Sequence, residues 1–131
     1  MKRLLWGAWL IAACARPPVP PVATIESPAD GAMGSAPLKV TLAATGVTIA
    51  PVADQRAGGA HFHLFLDVDA APDGAPIPAG VPGVIHLGGG QLEYTFDSLT
   101  AGNHRVIVML GDNAHVPLPG QKTDTLNYMV H

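Results

Sequence analysis

Residues 58–69 read Gly-Gly-Ala-His-Phe-His-Leu-Phe-Leu-Asp-Val-Asp. Side chains alternate across a β-strand. A strand here places Phe62, Leu64, Leu66 and Val68 on one face and His61, His63, Phe65 and Asp67 on the other. The first face is wholly apolar and belongs in a core. The second carries two imidazoles and a carboxylate in a row. Residues i and i+2 of a strand stand roughly 6.5–7 Å apart at Cα, so His61 and His63 are within reach of one metal ion. Neutral imidazole is a ligand for zinc and for copper. Two ligands alone do not make a site, and strand histidines also serve as local hydrogen-bonding groups.

The rest of the chain is cut into similar short pieces. Residues 23–27 read as a first strand, ended by the turn residues Ser27-Pro28-Ala29-Asp30-Gly31. Residues 38–45 alternate, with Leu38, Val40 and Leu42 on one face; Gly46 breaks the run, and residues 47–49 continue it briefly. Residues 70–83 hold Pro72, Pro76, Pro78 and Pro82 together with three glycines, a density that no regular element survives. Loops of that length inside a compact domain are often functional. Residues 84–87, 91–96, 104–110 and 125–130 complete the set. About seven short strands with frequent turn signals and no helix after the N-terminal segment predict an all-β, immunoglobulin-like antiparallel β-sandwich over residues 23–131. One sheet face is expected to be solvated.

The N-terminus reads differently. Lys2 and Arg3 precede a short apolar run over residues 4–13, too short for a membrane-spanning helix. This is the pattern of a signal peptide, here residues 1–13. Ile11-Ala12-Ala13-Cys14 resembles the bacterial lipobox, in which the cysteine is lipidated and becomes the mature N-terminus. The residue after it is Ala15 rather than Asp, which by the same resemblance implies sorting to the outer membrane, facing the periplasm. Residues 14–22 contain Pro17, Pro18, Pro20 and Pro21 and are expected to form an extended tether. Cys14 is the single cysteine, so no intrachain disulfide exists. Removing Lys2 and Arg3 from the seven basic residues leaves five against ten acidic ones. That balance argues against nucleic acid as a partner, which calls for a basic patch. The expected partners are the membrane, through the lipid on Cys14, and a metal ion; no protein partner is indicated.

Five of the six histidines lie at residues 61–115. His104 and the end of its strand at Gly111 are separated by roughly 20–24 Å at about 3.3 Å per residue. If the 61–68 and 104–110 strands run antiparallel, His61 and His63 approach Asp112 and His115, and His86 joins from the end of the long loop. The predicted metal site is therefore His61, His63, His86 and His115, with Asp112 as a ligand or as a residue orienting one. Copper or zinc suits such a set. His104 is left as a structural residue at a strand start. No Ser-His-Asp order, nucleophile elbow or paired carboxylates mark an enzyme. A metal hydrolase would need an open coordination position and a base, for which Asp67 is the one candidate. Two readings remain open: a metal-binding envelope protein, or a non-metal binding or structural module whose histidines support its loops.

Four blocks in order carry a family resemblance: Gly59-Ala60-His61-Phe62-His63-Leu64, Ile85-His86-Leu87-Gly88-Gly89-Gly90-Gln91, Leu99-Thr100-Ala101-Gly102-Asn103-His104, and Leu110-Gly111-Asp112-Asn113-Ala114-His115-Val116-Pro117. Together they resemble the small exported bacterial family known as domain of unknown function 4399, over about residues 58–130. The family pattern lines up with His61, His63, Asp67, His86, His104, Asp112 and His115. Departures are Leu87 for an aromatic, Ala101 for a proline, and Leu118-Pro119 where relatives often carry a further histidine. The resemblance implies an exported immunoglobulin-like β-domain and implies no reaction.

Overall fold

The computed structural model describes Cys14 and residues 16–131. The signal segment expected at residues 1–13 lies outside the described residues. Strands β1 (Val22–Ser27), β3 (Leu38–Thr45) and β7 (Glu93–Phe96) form one antiparallel sheet with β3 in the middle. The second sheet runs β2 (Met33–Gly34), β9 (Asp124–Val130), β8 (Gly102–Gly111), β5 (Gly59–Leu66) and β4 (Thr48–Ile49), with β6 (Val84–Leu87) also paired to β5. Setting aside the two-residue pieces β2 and β4, the first, second and fifth long strands share one sheet. The third, fourth, sixth and seventh share the other. This is the strand distribution of the immunoglobulin-like sandwich. The seven expected strands are present; β2 is an addition paired parallel to β9, and residues 48–49, expected to continue the 38–45 strand, instead form β4 on the second sheet, parallel to β5. Gly46, at φ +75°, lets the chain leave β3 and cross to the second sheet.

The main core lies between the sheets. Val40 and Leu42 of β3 meet Phe62 and Leu64 of β5 and Val106, Val108 and Leu110 of β8, all buried. Each such side chain contributes about 1.5–3 kcal/mol by leaving water.

Two expectations are corrected here. First, β5 ends at Leu66 and does not extend to Val68. Asp67 sits at φ +56°, in the left-handed region, where the strand alternation stops. Val68 therefore packs outside the sandwich and not in the core with Phe62 and Leu64. Second, the outer face of β5 is not solvated. Phe65, Met109, Ala71 and Ile77 form a second apolar cluster on that face, with Val68 and Val84 packed against it. The loop of residues 67–83 folds back over the sheet and supplies half of this cluster. Its ends are tied where the Leu66 N–H donates to the Gly83 carbonyl at 2.7 Å. A Cβ on Gly83 would lie 2.6 Å from the Leu66 oxygen, so only glycine closes the loop here. β5 is thus paired along both edges and buried on both faces.

The end of β5 is locked by charge. Asp67 Oδ1 accepts the Arg105 N–H at 2.8 Å, and Asp67 Oδ2 faces His104 Nδ1 at 2.7 Å. His104 Nε2 lies 2.7 Å from the Thr100 carbonyl oxygen. Both ring nitrogens face acceptors, so the arrangement favours the imidazolium. The Thr100 carbonyl first, and Asp67 second, hold the His104 pKa above its ordinary value. Burial works against the Asp67 carboxylate, but the Arg105 N–H and His104 together hold its pKa below the usual value.

The sign of the pH effect follows. The His104 contribution is complete below its unfolded value near 6.5 and is lost as pH rises through the raised folded value. The Asp67 contribution is present above about 4 and is lost as pH falls. Asp67→Asn keeps a residue that tolerates the left-handed conformation. It is expected to lower stability by about 1 kcal/mol at pH 5.5, discounted because Asp67 is partly exposed. That corresponds to roughly 4 °C in melting temperature. Thermal melts of wild type and variant should converge at pH 9; a gap of equal size at both pH values would remove the charge-based account.

Candidate metal centre

β5 runs antiparallel to both β8 and β6, and the two registers build the site. His63 is opposite His86 on β6 and Met109 on β8. His61 is opposite Gly111, the last residue of β8. Residues directly opposite one another share a face, so His61, His63 and His86 all project outwards beside the second apolar cluster. Gly111 leaves the space that the rings fill: a Cβ there would lie 2.8 Å from His63 Cε1 and 3.2 Å from Ile77 Cδ1. A Cβ on Gly88 would overlap the His86 ring.

His115 lies four residues past the end of β8 and is brought back by a tight turn. Asp112 Oδ1 accepts the N–H groups of Ala114 at 2.8 Å and Val116 at 3.0 Å. The His115 N–H donates to the Asp112 carbonyl, and the Asp112 N–H to the Val116 carbonyl, both at 2.9 Å. His115 itself takes φ +60°. Its carbonyl accepts the Ile77 N–H at 2.7 Å, which ties the turn to the covering loop.

Four imidazoles therefore converge. Their candidate ligand atoms, one from each of His61, His63, His86 and His115, all lie within 4.8 Å of one another. His86 Nε2 and His115 Nε2 are 3.1 Å apart, one ring donating and the other accepting. Ring centroids are separated by 4.6 Å for His61–His63 and 4.7 Å for His86–His115. Zinc–imidazole bonds of about 2.0–2.1 Å imply a tetrahedral nitrogen–nitrogen edge of roughly 3.3 Å. The spread of the four candidate atoms, up to 4.8 Å, is somewhat larger than that edge and close enough for the group to hold one ion.

The cluster has a buried side and an open side. His61 and His63 are 0% and 1% exposed, His86 is exposed, and His115 is intermediate. Both nitrogens of His61, and Nδ1 of His63, are buried without a hydrogen-bond partner among the described residues. Each unsatisfied buried polar group costs on the order of 1–3 kcal/mol. Burial, followed by the neighbouring imidazoles, pushes the His61 pKa down to about 4 and that of His63 down to about 3. The nearby Asp112 charge opposes the shift at His61. Burial and then His115 also lower the pKa of His86. His61 and His63 are therefore neutral near pH 7, the form in which imidazole binds metals.

The structure brings together the four histidines named from the sequence. Asp112 is not among the grouped ligand atoms; its Oδ1 accepts the two loop N–H groups, so it shapes the turn that presents His115. His104 is apart, bound to Asp67 and Thr100, as expected of a structural residue. Cys14 is exposed, ahead of β1. Sequence reasoning missed Ile77 and Gly111. Ile77 and Val81 are the large aliphatic residues of residues 70–83, and nothing in their spacing distinguishes buried Ile77 from exposed Val81.

Fold and site together define an immunoglobulin-like β-sandwich with a four-imidazole cluster on the outer face of its larger sheet. Residues 40–131, more than two thirds of the chain, match the family described as Domain of unknown function (DUF4399), and the chain belongs to that family. No curated protein matches the sequence. Among solved structures, the chain is similar to the fibronectin(III)-like modules of CbhA from Clostridium thermocellum, at 18% identity and a TM-score of 0.48, covering 86% of this chain and 47% of that one. It is also similar to the extracellular domain of a one component system from B. thetaiotaomicron, at 10% identity and a TM-score of 0.46, covering 89% of this chain and 16% of that one. This chain thus spans about half the length of the first and about a sixth of the second.

The lowered pKa values have a consequence for the ion-free protein. The unfolded chain binds protons near pH 6.5 that folded His61 and His63 exclude. Stability is expected to fall as pH drops from about 6.5 towards 4. Replacing His63 with Leu should flatten that part of the profile. Melting temperatures across this range decide it; a wild-type profile flat between pH 6.5 and 4.5 would mean the imidazoles are solvated.

Proposed function

We propose that this protein binds a transition metal, copper or zinc, through His61, His63, His86 and His115. The observation that carries the reading is the convergence of four imidazoles whose buried members have nitrogens with no partner within the protein. His104 supplies the contrast inside the same fold. It is a structural histidine with both nitrogens facing acceptors and a raised pKa. His61 has neither nitrogen satisfied and a lowered pKa. A histidine kept to support a loop resembles His104. A histidine kept as a ligand resembles His61.

The same arrangement favours binding over catalysis. Catalytic zinc sites use three protein ligands and keep a position for water or substrate. Four protein nitrogens fill a tetrahedral ion. The carboxylate nearest in sequence to His115, that of Asp112, holds two loop N–H groups through its Oδ1 and so serves the turn.

Export and anchoring belong to the same proposal. Lys2, Arg3, the apolar run and Ile11-Ala12-Ala13-Cys14 support a lipoprotein signal, with lipid on Cys14 and the sandwich facing the periplasm from the outer membrane. The eight residue steps from Cys14 to Val22 span up to roughly 25 Å in an extended proline-rich form, which holds the domain clear of the bilayer.

Titration of the untagged chain with Zn(II), Cu(II) and Cu(I) tests the metal. One equivalent is expected to bind, and to raise stability by about 2.7 kcal/mol at a free concentration of about 100 Kd. The His61→Ala/His63→Ala double variant should bind none, and His104→Ala should bind normally. Affinity no tighter than about 10 μM for every ion would reject the proposal. For the anchor, Cys14→Ser is expected to move the protein from the membrane fraction to the soluble fraction; unchanged partitioning would reject lipidation at Cys14.

A further inference from the structure

The cluster is asymmetric in a way that a purely structural metal site does not require. His61 and His63 form a floor. They stand on β5, which is paired along both edges, and are buried to 0% and 1%. The His63 ring lies against Gly111, where a Cβ would stand 2.8 Å from its Cε1. His86 and His115 form a rim. His86 is exposed on β6, which pairs with β5 alone, and His115 stands in a turn outside the sheet. The rim nitrogens bond to each other at 3.1 Å, while both His61 nitrogens are left without a partner. An ion-free rim satisfies itself; an ion-free floor does not.

Resting on the reading of this cluster as a metal site, we infer that it is built for hand-over of a divalent cation through the His86–His115 rim, to an acceptor that presents nitrogen or oxygen ligands of its own. All four grouped donors are imidazole nitrogens. Such a set suits the borderline ions Zn(II) and Cu(II), for which imidazole is a preferred ligand. The acceptor's ligand approaches from the open side. It forms a bond to the ion as the bond from His86 is released, and a second acceptor bond displaces His115. The two freed imidazoles restore their mutual hydrogen bond. Two further acceptor ligands take the places of His61 and His63 as the ion leaves the floor with the acceptor. No electron is transferred, and each metal–imidazole bond lost is replaced by one to the acceptor. The buried floor gives a competing ligand no approach from behind, so exchange begins at the rim.

The experiment uses the full chain, purified in mild detergent without a histidine tag and loaded with one equivalent of Zn(II). Stopped-flow mixing with the chromogenic chelator 4-(2-pyridylazo)resorcinol follows transfer. The observed rate is expected to rise in proportion to chelator concentration over a tenfold range. His86→Ala is expected to increase the rate at least tenfold at fixed chelator while the melting temperature of the ion-free protein is retained. A rate independent of chelator concentration would mean that the ion escapes from a closed site, and would overturn the inference while leaving metal binding intact. Preferential loading with Cu(I) over Zn(II) and Cu(II) would overturn the divalent assignment. Failure to take up zinc or Cu(II) at the loading step, read before any transfer, would overturn the inference together with the reading beneath it.

Discussion

Pairing of β5 along both edges is the constraint from which the rest follows. A strand has a side-chain period of two, and a slip of one residue exchanges its faces. Here a slip is opposed twice. The inner face would lose Phe62 and Leu64 from the main core, and the outer face would lose Phe65 from the second cluster. With the register fixed, His61 must lie opposite Gly111 and His63 opposite His86. Three imidazoles are therefore placed by the same hydrogen bonds and apolar contacts that hold the fold. Only His115 needs a separate device, and the Asp112 turn supplies it.

The loop of residues 67–83 joins these two levels. Its first residue, Asp67, ends β5 and binds His104 and Arg105. Its middle residue, Ile77, packs in the second apolar cluster with Phe65 and Met109 and donates its N–H to the His115 carbonyl. Its last residue, Gly83, closes back on Leu66. A segment too rich in proline for any regular element still has three fixed points, and through Ala71 and Ile77 it covers Phe65 and Met109 on the outer face of the sheet.

Much of this was legible in the chain. Alternation over residues 58–69 fixed the facing of His61 and His63, because the apolar set could only belong inwards. The antiparallel relation of two neighbouring strands then sufficed to bring residues 112–115 towards them. The family blocks marked His86. Other features were not legible, for physical reasons. Asp67 is compatible with an extended conformation, and its left-handed one is imposed by His104 and Arg105, 37 and 38 residues away; the misplacement of Val68 follows from that single torsion. Burial of the outer face depends on a loop whose fold is set by Ile77 and Gly83 contacts that no periodicity encodes. Asp112 reads equally as a ligand and as a turn former. Its position at the first residue of the turn, two and four residues ahead of the N–H groups it accepts, is the better guide in retrospect.

The histidines show how one residue type is divided between two tasks by surroundings alone. At His104 a carboxylate and a carbonyl face the two nitrogens, and the charged form is favoured. A cation placed there would compete with the ring's own proton. At His61 and His63 burial removes the proton, and the neighbouring imidazoles, acting as potential like charges, add to its removal. Their unengaged nitrogens stand in a recess that supplies no partner among the described residues. With His86 and His115 they lie close enough together to hold one metal ion. Burial thus does at His61 and His63 the opposite of what a carboxylate and a carbonyl do at His104: it removes the proton and leaves the nitrogen lone pairs unengaged.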